Sequence, residues 1–201
     1  MTCEAPRDWR GYCAAVLCAA AIAWSLAIST LLAGSAGAQQ LKPNEYQVKA
    51  TYLYNFGKFV KWPTAGEANK SDSFGVCVLG QDPFGSILDA TLSRETLDGK
   101  PVVLKRIARA QDAADCKIVF VSSTEEKHLK EDLAALDALG ALTVSDMKDF
   151  ARRGGMIQFT LEGERIRFEI NVESAQNAKL VLSSELLKVA ANIRKSAPTG
   201  D

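Results

Sequence analysis

Residues 74–92, FGVCVLGQDPFGSILDATL, combine a strand signal with a helix signal. The run at 74–79 is apolar without interruption, which is typical of a strand buried on both faces of a parallel sheet. Asp82 and Pro83 then supply an N-cap and a first-turn residue for a helix. The segment therefore predicts a strand followed at once by a helix, which is the unit from which α/β domains are built.

The same alternation continues along the chain. Strands are predicted at 102–107, 117–121 and 141–144, and helices at 124–139 and 145–150. Polar and apolar residues alternate from 156 to 172 around a Glu162-Gly163 turn, which predicts an antiparallel hairpin. Helical spacing predicts one helix before the first strand, from Pro43 to Pro63, and two at the carboxyl end, at 174–179 and 184–195.

We therefore expect a three-layer α/β/α sandwich, with a mostly parallel sheet that ends in a C-terminal antiparallel hairpin. In a flavodoxin-like strand order, the first and third strands of the alternating part are neighbours. That order would bring Cys77 close to Cys116, and these are the two cysteines that follow residue 38. A bridge between them would stabilise the fold by about 4 kcal/mol. The alternative is a pair of buried thiols.

Residues 1–38 have the composition of a secretory signal peptide. Arg7 and Arg10 precede a charge-free stretch that ends in Ser35-Ala-Gly-Ala38, with small residues at the two positions that a signal peptidase inspects. A permanent membrane anchor is the alternative, because the apolar stretch is long enough to span a bilayer. Cleavage near Ala38 would leave one α/β domain at 39–195 and a loose tail at 196–201, outside the cytoplasm.

Few residues of the chain suit catalysis or metal binding. His128 is the only histidine, and no cysteine or carboxylate at metal-ligand spacing makes a convincing metal site with it. Phosphate-binding glycine loops and the G-x-S-x-G elbow are absent, and basic and acidic residues number 24 each. We therefore expect no cofactor, no metal ion, no enzymatic activity and no nucleic-acid partner.

Two surfaces are candidates for binding a partner protein. The predicted first helix carries six aromatic residues, more than one buried stripe accommodates, so Tyr46 or Tyr54 should face outward. The hairpin should present a charged face at an exposed sheet edge. The candidate binding residues of this hairpin surface are Arg167, Glu169 and Asn171, with Met156 and Ile157 nearby.

Six blocks of sequence resemble, in order, blocks of the YfiR family of periplasmic regulators. The first is YQVKATYLYNFGKFVKWP at 46–63. The others are VCVLGQDPFG at 76–85, LTVSD at 142–146, GGMI at 154–157, RFEIN at 167–171 and LSSELL at 182–187. Together the blocks cover nearly the whole chain after the leader.

This resemblance implies a small periplasmic repressor in cyclic-di-GMP signalling that does not make the nucleotide itself. Members of the family bind the periplasmic part of an inner-membrane diguanylate cyclase and hold it inactive. An outer-membrane lipoprotein with an OmpA-like domain can draw the repressor away. Cys77 and Cys116 resemble one of the family's disulfide positions, whereas a second pair known in some members has no counterpart here. The expected partners are the cyclase, the lipoprotein and, as an alternative, a second copy of the chain.

Two other classes of protein remain as alternatives. A small-molecule binding module would use a pocket at the carboxyl ends of the strands, near Asp82 and Ser145, where open α/β sheets bind their ligands. A hydrolase or oxidoreductase would need a site assembled from scattered Asp, Ser and Arg residues, without a histidine base or a cofactor motif. The shortage of histidine and metal ligands favours binding over catalysis.

Overall fold

The structure, a computed structural model, describes residues 45–63 and 71–194. The predicted leader at 1–38 and the loose tail at 196–201 lie outside these residues. The α-helices of the described residues, α1 to α5, span Glu45–Phe59, Ser86–Leu92, Leu129–Ala138, Val172–Asn177 and Ser184–Val189. The strands, β1 to β10, span Val60–Lys61, Phe74–Leu79, Thr96–Leu97, Lys100–Ile107, Cys116–Val121, Leu142–Ser145, Ile157–Glu162, Arg165–Asn171, Val181–Leu182 and Asn192–Arg194.

One mixed sheet forms the centre of the domain, with its strands in the order β10-β8-β7-β6-β5-β2-β4-β3. The strands β4, β2, β5, β6 and β7 run parallel to one another in the flavodoxin-like order, with β2 next to β5. β8 then turns back antiparallel to β7, and β10 runs parallel to β8 at the outer edge. The predicted mostly parallel sheet with an antiparallel hairpin is confirmed.

Both faces of the sheet carry an apolar core, which gives the domain its three layers. Alternate residues of β2 point to opposite faces, so Val76 and Val78 join the core under α1 and α2. Cys77 and Leu79 join the second core, which includes buried residues of α3. The run at 74–79 is apolar throughout because both of its sides are covered. In the part of the chain described here, every helix is too short or too polar to cross a membrane.

A disulfide links the two central strands. Cys77 in β2 is bonded to Cys116 in β5, with their Cα atoms 5.8 Å apart. Both residues are buried, and the Cα separation falls in the range usual for disulfides. Of the two states that the residues alone left open, the structure has the bridge.

The predicted helix at 184–195 is wrong in its second half. α5 ends at Val189 because Ala190 is extended, with ψ of 140°, and the chain continues as β10. The three residues of β10 pair with Glu169–Asn171 on the outer side of β8. Backbone groups of β8 that would otherwise need water are thereby satisfied within the sheet.

The side chains of Ser145 and Asp82 close tight turns, at positions where the sequence predicts the start of a helix. Ser145 is the last residue of β6, and its hydroxyl accepts the N–H of Met147 at 3.0 Å, in turns that replace the predicted helix at 145–150. Asp82 accepts the N–H of Phe84 at 2.7 Å, four residues before α2 begins. Each side chain closes a turn by bonding two residues ahead, a local geometry that competes with helix capping.

Candidate functional site

The hairpin surface is a polar strip across β7, β8 and β10. Strand register places Arg167 opposite Thr160, and Glu169 between Gln158 and Asn192. These side chains point away from the α1 core, because their neighbours along β8 point into it. Arg167 and Glu169 are both partly exposed. The structure thus brings these two predicted residues together on one outward face.

Several polar atoms of this strip are buried without a hydrogen-bond partner. They are Oγ1 of Thr160 and the Nε atoms of Arg167 and Arg194. Oε2 of Glu169 lies 3.8 Å from Nε of Arg194, which is an ion pair but too long for a hydrogen bond. Each unsatisfied polar group is unfavourable by about 1–3 kcal/mol. The strip therefore contains polar atoms that the described part of the chain leaves without a partner.

Asn171 fixes the chain after β8. Its Oδ1 accepts the N–H of Ser174 at 3.1 Å as the N-cap of α4, and its Nδ2 donates to the carbonyl of Ala151 at 2.8 Å. Both ends of the amide are therefore used within the chain. Asn171 belongs to the strip by position but acts as an internal brace.

Met156 and Ile157 do not reach the surface. Both are fully buried, and the N–H of Met156 is bonded to the hydroxyl of Thr143. Ile157 pairs with Val144 of β6 and packs in the α1 core. The expectation that β8 is an exposed edge is also corrected in part, because β10 covers that edge at Glu169–Asn171. The exposed surface is therefore narrower than the sequence indicated.

Packing explains most of the aromatic residues of α1. Tyr52 and Phe56 contact Phe159 and Phe168 of the hairpin, with ring centroids 5.2 to 6.0 Å apart. Aromatic pairs at these distances stabilise beyond the area that they bury. This cluster holds α1 against the hairpin and fixes the position of the strip on its other side.

Tyr46 and Tyr54 are partly buried, and both pack against the core under α1 rather than project away from it. The hydroxyl of Tyr54 donates to the carbonyl of Thr96 at 3.3 Å, and the Lys58 ammonium lies 4.1 Å from its ring centre. The ring of Tyr46 packs edge-on against Phe84. Each tyrosine therefore offers only part of its ring to a partner.

Lys49 is a buried cation that the sequence analysis did not single out. It is 3% exposed, and its Nζ lies 2.6 Å from Oδ2 of Asp146 and also contacts Glu45. Burial disfavours its charge, but hydrogen bonds to the two carboxylates outweigh burial and raise the pKa of Lys49 above 10.5. Its spacing in the sequence could have indicated this burial. Lys49 stands at helical spacing from Leu53 and Phe56, so it lies on the same face of the helix as these two residues.

Replacing Lys49 by methionine should lower the free energy of unfolding by about 2 kcal/mol, because Asp146 would be left half-buried without a cation. The raised pKa means that this contribution is complete at neutral pH and is lost only as the pH rises above 10.5. Urea unfolding at neutral pH measures it. The control is Lys130→Met at an exposed position of α3, which should change stability by less than about 0.5 kcal/mol. Equal effects of the two changes would contradict this account.

The predicted ligand residues Asp82 and Ser145 already have partners. Oδ2 of Asp82 lies 2.8 Å from Nε of Arg106. Ser145 is fully buried, and its hydroxyl donates to the carbonyl of Val121 at 2.7 Å. Within residues 45–63 and 71–194, no group of three or more His, Cys, Asp or Glu side chains is placed to hold a metal ion.

An apolar groove lies elsewhere, between α1, α5 and β8, with a volume of about 210 Å³. Phe59 and Val189, which are 37% and 58% exposed, form part of its rim. Sequence reasoning missed this α1–α5 groove because its residues come from three separate elements; the aromatic surplus of α1 was the only signal. Its lining residues are Tyr52, Asn55, Phe56, Phe59, Phe168, Glu185, Leu186 and Val189.

Comparison with known proteins gives one family match. A family model described as YfiR/HmsC-like matches residues 46–191. No curated protein sequence matches the chain. One similar solved structure is a conserved domain protein from Vibrio cholerae O1 biovar El Tor, with 10% identity, a TM-score of 0.47, and coverage of 60% of this chain and 54% of that one. Another is the ABC domain in complex with L-Trp from Streptococcus pneumoniae, with 9% identity, a TM-score of 0.47, and coverage of 72% and 60%. The chain spans less than two thirds of either structure.

Proposed function

Because the chain belongs to the YfiR/HmsC-like family, whose members are periplasmic regulators in cyclic-di-GMP signalling, we propose that it binds the periplasmic part of an inner-membrane diguanylate cyclase and holds that cyclase inactive. The family is regulatory rather than catalytic. The working part of the protein is therefore a surface, and its chemistry is that of recognition.

The observation that best supports this function is the unsatisfied polar strip of the hairpin surface. Arg167 and Arg194 carry positive charge beside Glu169, and both arginines have a buried Nε without a partner. Arginine is enriched at interface positions that contribute most to binding. The aromatic cluster behind β8 keeps the strip rigid, so little entropy is lost when a partner binds.

Repression requires a difference in affinity between two states of the cyclase. A protein that bound the inactive state 100-fold more tightly than the active one would shift the equilibrium by about 2.7 kcal/mol. A protein that bound both states equally would shift nothing. An outer-membrane lipoprotein that bound the same repressor would relieve repression by competition. No group that makes or breaks covalent bonds is needed.

Export is part of the proposal. Residues 1–38 would direct the chain across the inner membrane and be removed near Ala38, so the processed protein would begin at Gln39. The oxidising periplasm is the compartment in which the Cys77–Cys116 bridge would persist.

The cellular concentration of cyclic-di-GMP tests the function. Deleting the gene in its own organism should raise the concentration, and expression of the full-length chain should restore it. A chain that lacks residues 1–38 provides the control, since it would stay in the cytoplasm and fail to restore the concentration. Unchanged cyclic-di-GMP after deletion would contradict repression.

The α1–α5 groove favours a second candidate function, the binding of a small apolar molecule. Its volume of about 210 Å³ is below the range of about 300–1,000 Å³ that is typical of ligand pockets, so the ligand would have to be small. Saturating ligand should raise the melting temperature. Val189→Trp would fill the groove and abolish that rise, whereas Val181→Trp, at an equally exposed position outside the groove lining, would not.

A further inference from the structure

The residues that follow α5 form a strand although their sequence favours a helix. α5 spans Ser184–Val189 and ends where Ala190 becomes extended, and β10 then spans Asn192–Arg194. Glycine and proline, the residues that usually end a helix, do not occur between 184 and 195, and the next proline is Pro198. Alanine, present twice in this stretch, is the strongest helix former, and both alanine and asparagine are depleted in strands. The strand therefore depends on its pairing with β8.

Few contacts hold β10 in place. It pairs with three residues of β8, Glu169–Asn171, and in the described part of the chain no strand lies on its other side. The side chain of Ile193 is 37% exposed. Nε of Arg194 is buried without a hydrogen-bond partner and lies 3.8 Å from Oε2 of Glu169, which is too long for a hydrogen bond. Because an unsatisfied buried donor is unfavourable, it offsets part of what the pairing contributes.

The same residues would extend α5 by more than one turn. In a helix through Arg194, each added residue would gain an N–H bond to the carbonyl four positions earlier. α5 has six residues, fewer than the roughly 12 that an isolated helix needs to be stable, so a longer helix would reinforce it. Ile193 would then lie on the same face as Leu186 and Val189, which line the α1–α5 groove. The apolar stripe of α5 thus continues into the strand segment.

We propose that residues 190–194 exchange between β10 and a helical extension of α5, and that this exchange covers and uncovers the edge of β8 beside the hairpin surface. A segment of this kind can have two packings that are close in free energy. In the helical state, the carbonyl of Phe168 loses the N–H of Ala191, which lies 2.8 Å from it in the strand state, and Glu169 loses Arg194. This inference does not rest on the proposed function, because it concerns the chain alone.

Backbone directions on β8 identify an amide that reports the exchange. The carbonyl of Phe168 faces β10, where it accepts the N–H of Ala191, whereas the N–H of Asn171 donates to the carbonyl of Met156 on the other side. Successive residues of a strand direct their backbone groups to alternate sides, so the N–H of Ile170 faces β10. Ile170 therefore loses its partner in the helical state, while Asn171 keeps its own.

Two substitutions at residue 193 distinguish a helical state from one that is only unpaired. Ile193 lies opposite Ile170, which in parallel pairing bonds to the neighbours of Ile193 rather than to Ile193 itself. The N–H of Ile193 therefore points away from β8, so Ile193→Pro is compatible with the edge strand but blocks the helix. Ile193→Ala favours the helix, because alanine has a higher helix propensity and a lower strand propensity than isoleucine.

Chemical exchange saturation transfer NMR on the exported, oxidised protein tests the exchange. We expect a minor state populated to about 1–10%, in which the Cα chemical shifts of residues 190–194 move to helical values. Ile193→Ala should raise its population at least about threefold, and Ile193→Pro should remove it. The control is Lys188→Ala, at an exposed position that is helical in both states, which should leave the population unchanged. Absence of a minor state, or a minor state with the shifts of unfolded chain, would overturn the proposal.

Hydrogen exchange measures the uncovering of β8 independently. The amide of Ile170 should exchange at least about threefold faster in Ile193→Ala than in the unsubstituted protein, and at least about threefold more slowly in Ile193→Pro. The amide of Asn171, which is bonded to Met156, should exchange at the same rate in all three proteins. Equal rates at Ile170 in the three proteins, equal changes at both amides, or faster exchange of Ile170 in Ile193→Pro would overturn the proposal.

Discussion

Replacing Cys77 and Cys116 together by alanine is expected to lower the free energy of unfolding by about 4 kcal/mol. The bridge joins residues 39 positions apart in sequence, so its loss releases a long loop in the unfolded chain. It also removes a buried link between β2 and β5, the two strands at the centre of the sheet. For a domain of ordinary stability this is a large share of the total. Urea unfolding under non-reducing conditions measures the change.

The control for the disulfide prediction is chemical reduction. A reductant should lower the unfolding midpoint of the unsubstituted protein to near that of the double-alanine variant, and should leave the variant itself unchanged. Two small cavities in the variant account for any remaining difference. If the free energy of unfolding fell by less than about 1 kcal/mol in both experiments, the bridge would not stabilise the fold as loop closure requires.

Arg167→Glu is expected to weaken binding to the proposed partner, the periplasmic part of a membrane diguanylate cyclase, by about 100-fold, or about 2.7 kcal/mol. The change places a second carboxylate on the strip that carries Glu169, and it removes a guanidinium whose Nε has no partner within the chain. Like charges brought together at an interface are repelled, and a lost arginine donor leaves the partner's acceptor unsatisfied. Titration of the purified periplasmic part of the cyclase with each variant measures the effect.

Lys130→Glu is the matched control for the strip. It makes the same change of charge at an exposed position of α3, away from the hairpin surface. Its effect on affinity should be less than about threefold, because isolated surface charges act mainly through screened, long-range attraction. Both variants should retain the free energy of unfolding of the unsubstituted protein to within about 1 kcal/mol. If the two variants bound the partner with equal affinity, the hairpin surface would not be the binding surface.

Much of the sheet could be predicted because its signals are local. The run at 74–79 is apolar at every position, and both of its faces are buried. The hairpin follows from simple alternation around one turn. The predicted helix at 124–139 begins only at Leu129, after the short 3-10 turn Ser123–Glu125, because Ser122 bonds the N–H of Thr124 and closes a local turn.

The candidate site was harder to predict because it depends on contacts between distant segments. The apolar spacing at 184–195 fits a helix, yet three residues of this segment form β10. No local pattern in the sequence indicates that β10 pairs with β8. Met156 and Ile157 lie next to the charged hairpin in sequence, but both are buried in the core. Ile157 begins β7, which has a neighbouring strand on each side, and Met156 directly precedes it. The unsatisfied Nε atoms of Arg167 and Arg194 depend on side-chain geometry alone.

The most direct test of the central claim is capture from membranes. The processed protein, folded and oxidised, would be immobilised and exposed to solubilised inner membrane under non-reducing conditions, and the bound proteins identified by mass spectrometry. Arg167→Glu bait would be run in parallel. The account predicts that a membrane diguanylate cyclase is retained by the unsubstituted bait and strongly depleted from the variant. Retention of no membrane signalling protein by the unsubstituted bait would contradict the account.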